Sequence, residues 1–241
     1  MAYEPRTYRW KVDPAGLVTF RVVRAETDLA VSARQNLSEQ ALALVDDARQ
    51  ALESYIAANP RFAESLVPVG VPEGAPPIVR AMADAARVAG VGPMAAVAGA
   101  VAEEVAQGLE PLSAEVIVEN GGDVFLISEV DRVVLLGAGD SPLSEHVAIA
   151  IRAEEMPIAV CTSSAKVGPS LSLGSAHAAT VLARSGALAD AAASAVGNLV
   201  HGPGDIERAL ARAREIPGVA GAVVVCEDKI GAVGTLSLIK V

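Results

Sequence analysis

The sequence is poor in cysteine and in positive charge. Its two cysteines, Cys161 and Cys226, lie in separate apolar runs, which excludes a disulfide framework and a zinc-ligand spacing and favours buried free thiols. Lysine and arginine number 19 against 29 aspartate and glutamate residues, a net charge of -10. Because that charge repels phosphate backbones and anionic lipid surfaces, we expect neither nucleic acid nor a membrane as partner.

The sequence also lacks a long uninterrupted apolar run. The stretch "GPMAAVAGAVAEEV" reaches Glu103 and Glu104 after about a dozen residues, whereas a membrane-spanning helix needs about 20. The opening residues, "MAYEPRTYRW", contain no apolar core of a secretory signal. We therefore expect a soluble cytoplasmic protein.

Hydrophobic residues are abundant, and their pattern in the first third of the chain predicts a β-hairpin followed by helices. They make up 52% of the chain, enough for a substantial core. Two β-branched runs flank a polar turn at Glu26 to Asp28, and apolar residues then recur at helical intervals from Leu37 to Ile56. After a proline-rich loop, we predict two further helices, one ended by Gly90 and the other by Gly108.

From residue 114 the pattern is one of short strands, interrupted by a helix with Ser185 as N-cap and a second helix capped by Asp205. The chain ends in a hairpin that turns near Glu227 to Lys229. Because strands and helices occur in runs, we predict an α+β fold with mostly antiparallel sheets. We expect one domain over 1–241, with the hairpin and long helix in 1–60 and the core in 76–241.

Small side chains dominate the helix that contains "MAAVAGAVAEEV". They permit another backbone or a ligand to approach closely, and they suit a subunit interface equally well. Close packing, a ligand pocket and a homo-oligomer contact therefore all remain open for this helix.

Two loops have compositions suited to binding a ligand. "ENGGD" is typical of a type I′ hairpin turn, but its glycines can also bring backbone amides close to a phosphate. "VCTSSAKVGPSLSLGSAH" places three successive hydroxyls before a loop that contains Lys166, Gly168 and Ser170. This composition suits an anion or a polar ligand edge, and it equally suits a surface loop without function.

The helix "ALADAAASAVGN" carries oxygen-bearing side chains at one spacing only, at Asp190, Ser194 and Asn198. Residues four apart share a helix face, so a carboxylate and a hydroxyl there can offer oxygen ligands to Mg²⁺ or Ca²⁺. Alternatively, Asp190 stabilises the positive end of the helix dipole and Ser194 bonds its own backbone.

Taken in order, "AVAGAVAEEV", "VIVENGGDVFL", "AVCTSS" and "ALADAAASAVGN" resemble the ApbE-like family of FAD:protein FMN transferases, and in particular its small cytoplasmic branch. The resemblance implies an ApbE-like, T-fold-like α+β fold, with FAD or another nucleotide as ligand. It places Mg²⁺ at Asp190 and Ser194. It implies cofactor contacts at the helix positions Gly99 and Glu103, at the turn residues Asn120, Gly121, Gly122 and Asp123, and at Thr162, Ser163 and Ser164.

The sequence departs from the transferases in two respects. The D-P-R-T-G-like segment that they carry between the T-S turn and the metal-binding helix is missing here. No aromatic residue lies within 126–241, so stacking on an isoalloxazine ring needs an earlier residue such as Trp10, Tyr55 or Phe125.

Two functions therefore remain open from the sequence. One is a Mg²⁺-dependent transfer of FMN from FAD, in which a target hydroxyl attacks the FMN phosphorus and AMP leaves. The other is a non-catalytic binding or accessory protein on the same fold, with a role in sulfur assimilation suggested by the resemblance.

Overall fold

The computed structural model describes residues 14–166 and 172–241. Trp10, Gly168 and Ser170 lie outside the described residues. The strands are β1 (Val18–Arg24), β2 (Thr27–Ala33), β3 (Val116–Asn120), β4 (Asp123–Ile127), β5 (Arg132–Leu135), β6 (Val147–Ile151), β7 (Ile158–Ser163), β8 (Ala178–Ala183), β9 (Val219–Cys226), β10 (Lys229–Gly234) and β11 (Ser237–Lys240). The α-helices are α1 (Ser38–Ala58), α2 (Arg61–Glu64), α3 (Pro77–Ala89), α4 (Val97–Leu109), α5 (Gly186–Gly197) and α6 (Ile206–Glu215).

The strands form two antiparallel sheets. The larger has eight strands in the order β1-β2-β3-β4-β7-β8-β9-β10, and the smaller has the order β11-β6-β5. In each half of the large sheet, one hairpin is followed by helices and then by a second hairpin. The predicted α+β architecture with antiparallel sheets is confirmed.

The large sheet separates two apolar layers. In β4, Phe125 and Ile127 face the helices, whereas Val124 and Leu126 face the small sheet. This alternation follows from the two-residue period of a strand. Both faces of the central strands are therefore buried, and the helices of the described residues cover one of them.

Several predicted element ends are confirmed, and two are wrong. Gly90 ends α3 in the left-handed conformation, and Ser185 caps α5 by accepting from the backbone N–H of Leu188 at 3.4 Å. The first hairpin, however, turns at 25–26 rather than at Glu26 to Asp28. The second wrong end is Gly108, which lies inside α4 because its missing side chain admits Leu44.

Asp205 lies at the N-cap position of α6, as predicted, but its side chain does not cap the helix. A 3-10 turn over Pro203–Asp205 precedes this helix. The Asp205 carboxylate accepts from the backbone N–H of His201 at 2.9 Å and makes no capping hydrogen bond to α6. The predicted cap is therefore used one turn earlier in the chain.

No single helix in the described parts of the chain is long and apolar enough to cross a membrane. The segments Pro77–Ala89 and Pro93–Leu112 reach the required length and composition only as a pair, and they are bent by 104°.

Candidate functional site

Helices α4 and α5 cross in backbone contact at Gly99 and Gly186. A Cβ atom added to Gly99 would overlap the carbonyl oxygen of Gly186 and lie 2.8 Å from Cβ of Asp190. A Cβ atom added to Gly186 would overlap the carbonyl oxygen of Gly99. Close packing thus accounts for these two glycines, and it places Asp190 against the first turn of α4.

Each of the two helices supplies a carboxylate to the N-terminus of the other. Asp190 Oδ2 accepts from the backbone N–H of Gly99 at 3.0 Å. Glu103 Oε2 accepts from the backbone N–H of Gly186 at 2.8 Å and from the hydroxyl of Ser185 at 3.2 Å. Backbone N–H groups in the first turn of a helix have no partner within the helix, and carboxylates are favoured there by the helix dipole.

Asp190 lies in an environment that disfavours its charge. Burial, together with the negative charge of Asp123, raises the pKa of Asp190 well above its usual range, although hydrogen bonds from the backbone of Gly99 and Ala98 oppose the shift. The residue keeps part of its surface accessible. A carboxylate of this kind is a candidate for a functional group, because a bound cation would relieve both destabilising effects.

The NGGD turn joins β3 and β4 and lies against the start of α4. Gly121 has φ +73°, whereas Gly122 lies outside the left-handed region. A positive φ at the first central residue alone is typical of a type II′ turn, whereas a type I′ turn has a positive φ at both central residues. The expected type I′ turn is therefore wrong. Asn120 Nδ2 donates to the carbonyl oxygen of Ala98 at 3.1 Å, and the Asp123 carboxylate accepts from the backbone N–H of Thr162 at 3.1 Å.

The T-S turn of the resemblance, Thr162 to Ser164, lies at the end of β7 next to the NGGD turn. Thr162 and Ser163 are the last two residues of the strand and pair with β8, and only Ser164 follows it. A Cβ atom on Gly122 would lie 2.9 Å from the carbonyl oxygen of Thr162, so the two turns are in close contact. The Thr162 hydroxyl is hydrogen-bonded to Thr180 at 2.9 Å. Ser163 is partly exposed, while Ser164 is buried and donates to the carbonyl oxygen of His177 at 2.7 Å.

The face of α5 that carries the polar stripe serves different contacts along its length. Asp190 contacts the start of α4, and Ser194 is partly exposed. Asn198 Oδ1 accepts from the backbone N–H of Leu173 at 2.9 Å. Asn198 therefore holds Leu173, which lies in the segment after the T-S turn, next to the C-terminus of α5.

The aromatic side chains proposed for stacking are not equally available. Phe125 is 1% exposed and packs in the apolar layer under the helices, so the expectation that it stacks on a ring ligand is wrong. Tyr55 packs edge-on against Phe62, with ring centroids 5.3 Å apart. Trp10 lies outside the described residues.

The site therefore combines the start of α4, the NGGD turn, the T-S turn and the stripe of α5. Within 14–166 and 172–241, no group of three His, Cys, Asp or Glu side chains is arranged to hold a metal ion. A metal here would need further oxygen ligands from a bound molecule. Sequence reasoning did not identify the capping role of Glu103; its signal is the repeated spacing of "GAVAE" and "GALAD" in the two helices.

Comparisons with known proteins show the family of this chain. The family model described as AbpE bacteria matches residues 11–231. The chain belongs to this family. A UPF0280 protein of Methanocaldococcus jannaschii is 45% identical over 193 residues, 78% of each chain. A UPF0280 protein of Methanopyrus kandleri is 42% identical over 226 residues, 90% of this chain and 91% of the relative.

Solved structures confirm the ApbE-like fold. The apo flavinyl transferase ApbE of Pseudomonas stutzeri matches with a TM-score of 0.57 at 16% identity, over 90% of this chain and 93% of that one. The flavin transferase ApbE of Vibrio cholerae matches with a TM-score of 0.51 at 14% identity, over 91% and 97%. The ApbE-like resemblance predicted from the four motifs is thereby confirmed.

Proposed function

We propose that this AbpE-family protein binds a flavin nucleotide, FAD in the first place, and transfers its FMN part to a hydroxyl group of a target protein. The observation that supports the proposal is the placement of Asp190. Its carboxylate has a raised pKa, has Asp123 as a charged neighbour and lies where the start of α4 meets the NGGD turn. The names of the ApbE neighbours, flavin transferases in two species, agree with it.

The residues at the site fit Mg²⁺. Mg²⁺ prefers oxygen ligands, and it is usually held by one or two carboxylates together with substrate phosphates and water. Asp190 and Ser194 provide a carboxylate and a hydroxyl one helical turn apart on α5. A divalent cation would also offset the burial and the repulsion from Asp123 that raise the pKa of Asp190.

We assign roles to the surrounding residues on the basis of the resemblance and of their positions. When bound, Mg²⁺ supplies charge neutralisation on the pyrophosphate of FAD. In the proposed reaction, the target hydroxyl oxygen forms a bond to the FMN phosphorus, the bond from that phosphorus to the AMP oxygen breaks, and the hydroxyl proton passes to solvent. The backbone amides of Gly121 and Gly122 would contact a phosphate, and Thr162, Ser163 and Ser164 would lie beside it.

Asp123 and Asn120 hold this arrangement in place. Asp123 binds the T-S turn through the backbone N–H of Thr162. Asn120 binds the NGGD turn to α4 through the carbonyl oxygen of Ala98. These contacts fix the two turns relative to Asp190, so a phosphate could be bound without a large rearrangement of the backbone.

Calorimetric titration tests the proposal. We expect FAD to bind the wild-type protein in the presence of Mg²⁺ and much more weakly in its absence, and FMN and ATP to serve as probes of the two halves of FAD. Asp190→Asn should abolish the effect of Mg²⁺, whereas Asp84→Asn, a change of an exposed carboxylate on α3, should not. FAD binding with an affinity that depends on neither Mg²⁺ nor Asp190 would contradict the proposal.

A second candidate is a non-catalytic binding or accessory protein, with a role in sulfur assimilation. The missing D-P-R-T-G-like segment and the burial of Phe125 favour it, because both remove contacts that a flavin substrate can use. The two candidates differ in AMP release. If FAD binds in a Mg²⁺-dependent manner but no AMP is released with cytoplasmic proteins as acceptors, the accessory role is supported and transfer is not.

Three further expectations from the sequence remain proposals. They are a cytoplasmic location, a single domain over 1–241 and assembly into a homo-oligomer. Among the small residues of this region, Gly99 and Ala102 are buried within the chain, whereas Ala95 and Ala98 are partly exposed.

A further inference from the structure

The two crossing helices carry the same short pattern. Helix α4 contains "GAVAE" from Gly99 to Glu103, and α5 contains "GALAD" from Gly186 to Asp190. In each, an acidic residue follows a glycine by four positions, which is about one helical turn. The glycines contact each other, and each acidic side chain accepts from the glycine N–H of the other helix.

Glu103 has protein donors on both of its carboxylate oxygens. Oε2 accepts from the backbone N–H of Gly186 and the hydroxyl of Ser185, and Oε1 accepts from Gln107 Nε2 at 3.2 Å. The first two donors belong to the N-terminus of α5. Glu103 therefore fixes the first turn of the helix that carries Asp190.

We infer that Glu103 is a positioning residue: by capping the start of α5 it sets the position of Asp190 one turn further along, an inference that rests on the proposed metal and flavin site. Asp190 in turn accepts from Gly99, four residues before Glu103. The two hydrogen bonds close a ring that links both helix N-termini. This role differs from a direct contact between Glu103 and the cofactor, which the resemblance implies.

The two roles predict different effects of substitution. Glu103→Gln removes the charge but keeps an oxygen that can accept from Gly186, whereas Glu103→Ala removes the acceptor. A positioning residue needs the acceptor, so the glutamine variant should retain function. A ligand that acts through its charge should lose function in both variants.

The experiment combines amide exchange with FAD titration in Mg²⁺ on the full chain. In Glu103→Ala we expect the Gly186 and Gly99 amides to exchange faster, and FAD affinity in Mg²⁺ to fall by about tenfold or more, as for other residues that orient a metal ligand. Glu103→Gln should stay within about threefold of wild type, because only the interaction of its charge with the helix dipole is lost. Faster exchange at Gly99 is informative, since Glu103 makes no hydrogen bond to that amide in the structure.

Glu104→Ala is the matched control, because Glu104 is the next residue of the same helix and makes neither contact. We expect wild-type exchange at both glycines and unchanged FAD affinity. If Glu103→Ala does not fold, Glu103→Asp replaces it, because its shorter side chain should fail to reach Gly186 and give the same losses.

Two results would overturn the inference. One is unchanged Gly99 exchange in Glu103→Ala, and the other is an equal loss of FAD affinity in the glutamine and alanine variants. If the wild-type protein binds no FAD with Mg²⁺, the proposed function fails, and amide exchange at Gly99 still decides whether Glu103 positions Asp190.

Discussion

At the scale of single residues, Asp190 combines a structural contact with a disfavoured charge. Its carboxylate accepts from the backbone N–H of Gly99, while burial and the charge of Asp123 raise its pKa. The charged form of the side chain is therefore less favoured in the folded chain than in the unfolded chain. Such a conflict is typical of functional sites, where residues kept for function reduce the stability of the protein.

This conflict predicts that Asp190→Asn stabilises the protein in the absence of ligand at neutral pH. The asparagine oxygen can still accept from Gly99, and the buried charge is gone. The free Asp pKa is about 3.9 in unfolded chains, and the folded pKa is higher, so the folded chain binds more protons between the two values. Stability due to Asp190 therefore falls as the pH rises through this window, and it stays low above the folded pKa.

Thermal unfolding of both proteins across a pH series checks this prediction. The difference in melting temperature, variant minus wild type, should grow as the pH rises above about 4 and should be positive at pH 7. Asp46→Asn is the control, because its hydrogen bond with Arg24 lowers the pKa of exposed Asp46 and the charged form is the favoured one. A lower melting temperature for Asp190→Asn at pH 7 would show that its charge stabilises the fold.

At the scale of elements, the crossing of α4 and α5 determines the geometry of the site. Two glycines bring the helix backbones into contact, and two carboxylates satisfy the N-termini. The sequence predicted both helices and the Ser185 cap, because these depend on residues close in the chain. It did not predict the contact between Glu103 and Gly186, because the two are 83 residues apart and local propensity carries no information on such pairs.

Gly99→Ala and Gly186→Ala should each destabilise the protein. Alanine favours a helix over glycine by about 1 kcal/mol, but here its methyl group would overlap a backbone carbonyl that belongs to the other helix. Overpacking against a fixed neighbour costs about 1–3 kcal/mol or more, so we expect a net loss in the free energy of unfolding.

Denaturant unfolding of the two variants measures that loss. Gly204→Ala is the control, because an added Cβ atom there meets nothing within 4 Å, and it should leave stability unchanged or raise it by about 0.4–1 kcal/mol. Equal stability of all three variants would mean that the helices can separate at the crossing without cost.

At the scale of the whole molecule, the sequence predicted the class of the fold but not its arrangement. Period-two patterns and turn residues indicated antiparallel strands. They contained no signal that β5, β6 and β11 leave the large sheet to form a second one, because strand order depends on contacts between distant segments. The four site segments lie between residues 95 and 200 and come together only in the folded structure. Their grouping into one site was therefore predicted from the family resemblance and not from local sequence patterns.

The proposed metal and flavin site is tested most directly by a crystal grown with FAD and Mn²⁺, a Mg²⁺ substitute that scatters anomalously. We expect an anomalous peak next to the Asp190 carboxylate and the Ser194 hydroxyl, with the FAD pyrophosphate between this peak and the Gly121–Gly122 turn. A metal peak at other carboxylates, or FAD bound away from the crossing of α4 and α5, would show that Asp190 is not part of the flavin site.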